Sequence, residues 1–229
     1  MAKIIPIIGS PGSGCTTIAT QLAMQCAANN ETVTVIFADP VLPPKSYLIK
    51  EVQGESLGNL LSATELSEKQ LLLGMDAVSS EIGTIGYVPG DKLYNFPAPS
   101  TAACEHLIQK SSMLSDTVIL DIGSRLADKL SIVALEQADA NVICLDGTLK
   151  SVAWQTSLHD ISHATVVANA LYGTQTAQAD IFLPFAADLK QQIENFDCFK
   201  LYKEKHYLKS MQELYQRTNV KKKKLTLVR

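Results

Sequence analysis

Residues 9–17 read GSPGSGCTT, a glycine-rich stretch whose residue types and spacing suit phosphate binding. Gly9, Gly14 and Thr16 match the phosphate-loop pattern GxxxxGK[ST], and Cys15 stands where that pattern has lysine. In such a loop the glycines let the backbone turn, so that its N–H groups point at phosphate oxygens, and the hydroxyl can hold Mg²⁺. The lysine adds a positive charge, which Cys15 cannot supply. The stretch therefore predicts a phosphate cradle without its cation, or a glycine turn that binds no ligand.

The segments on either side of this loop are those that a phosphate site needs. The apolar run 3–9 and the β-branched run 32–39 predict two buried strands, and 16–30 has the apolar spacing of a helix. Strand, loop, helix and strand within 40 residues form the βαβ unit of a parallel sheet. The helix would direct the positive end of its dipole at the loop, which favours a bound anion.

The rest of the chain continues this alternation. Further strands are predicted at 82–90, 116–124, 140–147, 164–171 and 179–185, and helical segments at 56–64, 67–79, 101–114, 126–138 and 151–162. Together they predict an α/β fold with a doubly wound, mostly parallel sheet of about seven strands and helices on both faces. A single apolar helical stripe is expected near the C-terminus, formed by Leu201, Leu208, Met211, Leu214 and Tyr215. We expect one domain over residues 1–216 and a basic tail over 217–229.

The order of these motifs resembles the MinD/ParA group of deviant phosphate-loop ATPases, over most of residues 3–190. The loop of that group usually reads KGGxGKT[ST], so its early signature lysine falls on Ser10 and its second lysine on Cys15. The group resemblance implies that ATP or ADP is bound with Mg²⁺. The implied nucleotide-binding loop is Ser10, Pro11, Gly12, Ser13, Gly14, Cys15, Thr16 and Thr17.

The resemblance also assigns roles outside the loop. It implies that Thr16, Asp39 and Asp121 hold Mg²⁺ directly or through water, with Asp39 the catalytic residue if the chain hydrolyses ATP. Three more residues are implied to contact the adenine base: Asn169, Pro184 and Phe185. Phosphoryl transfer depends mostly on positioning and charge, so the loss of both lysines predicts weak or absent hydrolysis.

A lysine replaced by a small residue is similar to the CpaE and TadZ proteins of this group. That similarity implies a protein that positions a type IV pilus (Flp/Tad) or a secretion apparatus through protein partners. A working partition or positioning ATPase is a second interpretation, with Lys3, Lys45 or Lys92 replacing the missing lysine. A nucleotide-free scaffold is a third. In the group the early lysine reaches across a nucleotide-sandwich homodimer. Because Ser10 replaces that lysine, a homodimer and a chain without this dimer are both open alternatives.

Charge is unevenly distributed along the chain. The net charge is −3, but residues 217–229 hold six basic residues and no acidic one, which leaves 14 basic against 23 acidic residues elsewhere. An acidic body argues against extensive nonspecific DNA binding, although Lys221–Lys224 in the tail could contact DNA or an anionic membrane. The five cysteines are odd in number and lack a CxxC pair, which predicts reduced thiols in a cytosol. The similarity to the CpaE and TadZ proteins implies that this cytoplasmic location is polar or at the inner face of the membrane.

Overall fold

The computed structural model describes residues 2–39, 54–63, 65–80, 82–90, 98–158, 161–169 and 178–219. Its strands are β1 (Lys3–Gly9), β2 (Val33–Phe37), β3 (Asp76–Ser80), β4 (Gly83–Val88), β5 (Thr117–Gly123), β6 (Asn141–Leu145), β7 (Ala164–Asn169) and β8 (Ile181–Leu183). Its helices are α1 (Cys15–Ala28), α2 (Leu57–Ser62), α3 (Glu68–Gly74), α4 (Thr101–Leu114), α5 (Lys129–Gln137), α6 (Leu149–Thr156), α7 (Ala187–Glu194) and α8 (Lys205–Thr218).

The eight strands form one sheet in the order β3-β4-β2-β5-β1-β6-β7-β8. Every neighbouring pair is parallel except β3 and β4, which form an antiparallel pair at one edge. Strands β2, β5 and β6 are buried along their whole length, as expected for parallel strands covered by helices on both faces. The predicted α/β, doubly wound, mostly parallel sheet is confirmed.

Two apolar clusters cover the two faces of the sheet. One cluster joins α1, α7 and α8 to the sheet, with Ile18, Leu22, Leu189, Met211 and Leu214 among its buried residues. The other cluster joins the four helices α2, α3, α4 and α5 to the opposite face of the sheet. Because β1 lies between β5 and β6, the chain reverses its winding direction beside β1. Ligands of open α/β sheets bind at the carboxyl ends of strands at such a reversal, which is where the glycine-rich loop leaves β1.

Two predicted elements differ from the structure before the C-terminal helices. Residues 76–80, expected to continue the helix from 67, instead form β3, so the sheet has eight strands rather than about seven. The helix predicted over 151–162 is α6, which starts at Leu149 and ends at Thr156. Strand β3 forms because it pairs along its full length with β4, a tertiary contact that outweighs the weak local preference of DAVSS.

The predicted C-terminal apolar stripe also needs correction. Leu201 precedes α8, which begins at Lys205, and Leu208 and Tyr215 are only partly buried. The buried stripe of α8 consists of Tyr207, Met211, Leu214 and Thr218. This stripe packs on α1 and β8 and closes one face of the sheet.

Glu31 links the C-terminal end of α8 to the amino-terminal ends of strands β1 and β5. Lys3 Nζ lies 3.0 Å from both Glu31 carboxylate oxygens and also donates to Asn219 Oδ1, while the hydroxyls of Thr117 and Tyr215 donate to Glu31 at 2.6 and 2.8 Å. Burial opposes ionisation of Glu31, but these hydrogen bonds outweigh it and hold the pKa of the carboxyl below its ordinary value. The cluster therefore stabilises the fold as an ionised unit.

Two further expectations concern the ends of the chain and membranes. The division into one domain over 1–216 and a tail over 217–229 stays a prediction, and Lys221–Lys224 lie outside the described residues. Within the part of the chain that the structure describes, no helix has the length and apolar character needed to cross a bilayer.

Candidate phosphate-binding site

The loop between β1 and α1 has the backbone geometry of an anion site. Gly12 and Gly14 adopt φ angles of +83° and +89°, in the left-handed region that favours glycine. Gly14 directly precedes α1 and provides no side-chain cap, and the first turn of α1 carries no acidic residue. The first N–H groups of a helix have no partner within it. Those of α1 therefore point, with the positive end of the helix dipole, at the space above the loop.

A cleft of about 460 Å³ lies over this loop. The loop residues that line it are Ser10, Pro11, Gly12, Ser13, Gly14, Cys15, Thr16 and Thr17, and the remaining lining residues are Asp39, Asp121, Gly123, Ser124 and Ile193. The structure thus brings together the whole predicted loop and both predicted acidic residues. None of the lining residues in the described part of the chain is lysine or arginine.

The two acidic residues and Thr16 form the polar end of the cleft. Thr16 Oγ1 donates to Asp121 Oδ2 at 2.5 Å, and Asp121 is fully buried at the carboxyl end of β5. Burial raises the pKa of Asp121 to about 7; the Thr16 hydrogen bond opposes the rise, and the negative charge of Asp39 adds to it. A nearby positive charge would stabilise the ionised form of this buried carboxyl and lower its pKa.

These residues fit a magnesium ion. Asp121 Oδ1 is buried and has no hydrogen-bond partner, which leaves one carboxylate oxygen ready to bind a cation or its water. Carboxylate and hydroxyl oxygens are the ligands that Mg²⁺ prefers. Asp39 is close because Gly123, with φ +65°, has no side chain: a Cβ there would lie 2.4 Å from Asp39 Oδ2. Any larger residue at 123 would displace Asp39.

Cys15 contributes no positive charge to the cleft, and its side chain points largely into the core. Only 8% of Cys15 is exposed, and its Sγ lies 3.6 Å from Ser13 Oγ. A Cβ on Gly9 would lie 2.5 Å from Cys15 Sγ, so Gly9 has no room for a side chain. Burial is the main cause that raises the pKa of Cys144 well above its ordinary value, and the neighbouring Cys15 thiol adds to the rise. Both thiols therefore belong to the floor of the loop.

Ser10 occupies the other lysine position and also points inward. It is 3% exposed, and its hydroxyl donates to Ser151 Oγ at 2.9 Å. Ser151 is fully buried on α6, and its Oγ also accepts from the backbone N–H of Asp146 at 3.0 Å. The start of the phosphate loop is therefore joined to the first turn of α6, and the Ser10 hydroxyl is engaged with Ser151 although the residue lines the cleft.

Lys3, one of the three lysines considered as a replacement, is not near the cleft. It begins β1, whereas the loop follows the other end of that strand at Gly9, about 20 Å away at 3.3 Å per residue. Its ammonium group pairs with Glu31 at 3.0 Å. Lys3 therefore does not reach the cleft of its own chain. Lys45 and Lys92 lie outside the described residues.

The three residues predicted to contact adenine occupy different positions. Asn169 ends β7, is 7% exposed, and donates from Nδ2 to the Ser13 carbonyl at 3.1 Å. It therefore supports the phosphate loop from below. Pro184 and Phe185 follow β8, and Phe185 is 58% exposed. None of the three lines the cleft over the loop, and their contact with adenine stays a prediction.

Several solved structures share the fold of this chain. A ParA family ATPase from Chlorobium tepidum superposes with a TM-score of 0.73 and 16% identity, and the match covers 94% of this chain and 99% of that chain. The septum site-determining protein MinD of Pyrococcus horikoshii, solved with Mg-ADP, gives 0.72 and 12%, covering 96% and 97%. A plasmid partition protein of Borrelia burgdorferi bound to AMPPNP gives 0.66 and 17%, covering 95% and 97%.

This chain has the ParA/MinD fold. Neither protein-family models nor the sequences of curated proteins match it. The likeness is therefore one of fold, and the roles of individual residues depend on the site itself.

The sequence reasoning missed several residues of the site in this ParA/MinD fold, among them Ser124, Ile193 and Ser151. Ile193, on α7, lines the cleft, although nothing in its surrounding sequence distinguishes it from an ordinary helix residue. Ser151 bonds to Ser10 across 141 positions of sequence. A signal for Ser151 existed in the local pattern, because Thr148 caps α6 and precedes it by three residues, but that pattern identifies a helix start rather than its partner.

Proposed function

We propose that the chain is an atypical nucleotide-binding protein that holds ATP or ADP with Mg²⁺ through backbone groups, and hydrolyses it weakly or not at all. Residues Gly12–Thr17 would hold the phosphates. Thr16, Asp39 and Asp121 would hold Mg²⁺, which supplies the positive charge against the phosphates when it is bound. The chain would act by positioning or regulating a partner assembly, such as a pilus or secretion apparatus, in the manner of the CpaE and TadZ proteins.

One observation carries this proposal: the fully buried Asp121, with one oxygen bonded to Thr16 and the other without a partner, lies beside a phosphate loop that lacks lysine. Burying an unpaired carboxylate is costly, and a site that served only as a glycine turn would gain nothing from it. A magnesium ion would offset that cost. The solved structures of this fold that contain Mg-ADP or AMPPNP support the same choice of ligand.

Weak hydrolysis follows from the electrostatics of the cleft. Ground-state binding can rely on N–H groups and the dipole of α1, which remain in this chain. Phosphoryl transfer needs further positive charge against the developing charge on the γ-phosphate. Cys15 and Ser10 are turned inward, and no described residue that lines the cleft is cationic. Asp39 can orient water beside the phosphate, but the charge that would stabilise the transition state is missing.

The test of this proposal is calorimetric titration with Mg-ATP of the native chain beside Cys15→Lys and Cys15→Ala, together with a phosphate-release assay. We expect the native chain and Cys15→Ala to bind with similar affinity and to release little phosphate. Cys15→Lys, if its thermal unfolding matches that of the native chain, should bind more tightly. Rapid turnover by the native chain, lost in Asp39→Ala, would contradict weak hydrolysis. Absence of binding by all three chains would contradict nucleotide binding.

A working partition ATPase is the second candidate function. The solved partition protein of Borrelia burgdorferi with the same fold favours it, and Lys45 or Lys92 would have to provide the missing charge. ATP-dependent dimerisation with hydrolysis that falls in Lys45→Ala or Lys92→Ala would support this candidate. In the first proposal neither substitution affects phosphate release, because there is little to lose.

A further inference from the structure

Two cysteine side chains meet beneath the phosphate loop. Gly9 on β1 and Cys144 on β6 are partners in register on neighbouring parallel strands, and partners in register point to the same face of a sheet. That face is covered by α1, whose first residue is Cys15. Because Gly9 has no side chain, the space between the strands and α1 stays open there: Cys15 Sγ lies 2.5 Å from where a Gly9 Cβ would be, and Cys144 belongs to the same buried cluster.

The two thiols differ in how they can be reached. Cys15 lines the cleft, whereas Cys144 is fully buried and in contact with Cys15. None of the five cysteines, all of which lie within the described residues, forms a disulfide. Cys104 belongs to the apolar cluster on the opposite face of the sheet, so the sheet separates it from this pair. An oxidant that enters the cleft therefore meets Cys15 first and has Cys144 directly behind it.

We propose that Cys15 and Cys144 are a redox modification site, which forms a reversible disulfide when a peroxide enters the cleft. The Cys15 sulfur attacks the peroxide O–O bond, which gives a sulfenic acid and, from hydrogen peroxide, one water. The Cys144 sulfur then attacks the Cys15 sulfur and displaces a second water as the disulfide forms. The two thiols lose two electrons, the peroxide gains them, and a thiol reductant reverses the change.

The disulfide would alter the cleft. The two sulfurs must approach to about 2 Å, so the first turn of α1 is drawn toward β6. Thr16 follows Cys15 directly and donates to Asp121, so the polar end of the cleft shifts with it. This consequence depends on the proposed function: oxidation should weaken Mg-ATP binding by about tenfold or more, a change of about 1.4 kcal/mol. The disulfide itself does not depend on that function.

The experiment oxidises the full chain with hydrogen peroxide, alkylates the remaining thiols and maps the products by mass spectrometry. We expect a cross-linked peptide pair containing positions 15 and 144, alkylation at the other three cysteines, and reversal by dithiothreitol. Cys15→Ser and Cys144→Ser should each abolish the cross-link, while Cys26→Ser should leave it unchanged. The native chain alone gives the decisive reading if a variant folds poorly.

Each other outcome overturns the proposal or its consequence. A disulfide between other cysteines, or sulfinic acid at Cys15 without a cross-link, refutes the modification site. If the cross-link forms and the oxidised chain binds Mg-ATP as well as the reduced chain, the proposed effect on the cleft is wrong. If even the reduced chain binds no Mg-ATP, the proposed function fails, while the cross-link still decides the chemistry of the cysteine pair.

Discussion

Replacing Asp121 with asparagine should change how the stability of the chain depends on pH. Burial raises the pKa of Asp121 to about 7, against an ordinary 3.8, so the folded chain keeps a proton that the unfolded chain releases. A group whose pKa is raised by folding contributes stability that is fully present below its unfolded pKa and is lost as the pH rises through its folded pKa. Through Asp121, the free energy of unfolding should therefore fall between about pH 4 and about pH 7.

The size of the effect follows from the same two pKa values. Their separation corresponds to about 4 kcal/mol in total, of which about 2 to 3 kcal/mol falls between about pH 5 and about pH 8. No discount for solvent screening applies, because Asp121 is fully buried. Asparagine does not titrate, and its amide oxygen can still accept from Thr16. Its buried amide nitrogen adds a cost, but that cost does not change with pH.

The assay is urea unfolding of the native chain and Asp121→Asn, without nucleotide, at both pH values. The free energy of unfolding of the variant minus that of the native chain should become more favourable by about 2 to 3 kcal/mol between about pH 5 and about pH 8. Other titrating groups cancel in this difference. Asp188→Asn, which removes an exposed carboxylate on α7, is the matched control for the loss of one carboxylate. A difference for Asp121→Asn that changes no more between the two pH values than that of Asp188→Asn would refute the reasoning.

Three further substitutions test the loop and the opposite end of β1. Gly14→Ala places a methyl group 2.4 Å from the amide nitrogen of Asn169 at φ +89°, whereas the methyl group of Gly12→Ala meets nothing within 4 Å at φ +83°. Both substitutions cost about 1 kcal/mol in backbone strain, but Gly14→Ala should lose more stability and more Mg-ATP affinity. Equal effects of the two substitutions in calorimetry and urea unfolding would contradict the packing. Lys3→Met breaks the half-buried ion pair with Glu31 and should lower the free energy of unfolding by about 1 to 3 kcal/mol. The affinity for Mg-ATP should stay the same. A loss of binding in calorimetry without a loss of stability would show instead that Lys3 acts at the cleft.

Much of the fold could be predicted because the buried strands are short apolar runs separated by helical spacing. Strands β1, β2 and β5 and helix α4 were expected within a few residues of their bounds. Ser100 caps α4, with Ser100 Oγ accepting from the Ala103 N–H at 3.1 Å. Strand β3 was missed because its sequence lacks an alternating pattern, and only pairing with β4 makes it a strand. Leu201 was placed in a helical stripe because periodicity does not show where α8 begins.

Part of the candidate site, like part of the fold, could be predicted from the sequence. The sequence pattern identified the loop, and the resemblance to the MinD/ParA group added both acidic residues, which the structure places beside the loop. It could not show that Ser10 and Cys15 point inward, since that depends on Ser151 and Cys144, which lie on other elements. Nor could it place Lys3, whose distance from the cleft depends on the direction of β1.

The most direct test of the central claim is a calorimetric titration of the native, reduced chain with ATP at about pH 8, with and without Mg²⁺, beside Asp121→Asn. At this pH, Asp121 is mostly ionised and ready to hold the cation. We predict one nucleotide bound per native chain, with affinity that rises when Mg²⁺ is present and a rise that is lost in Asp121→Asn. Binding by neither chain, or an equal effect of Mg²⁺ on both, would contradict a magnesium nucleotide site built on the loop and Asp121.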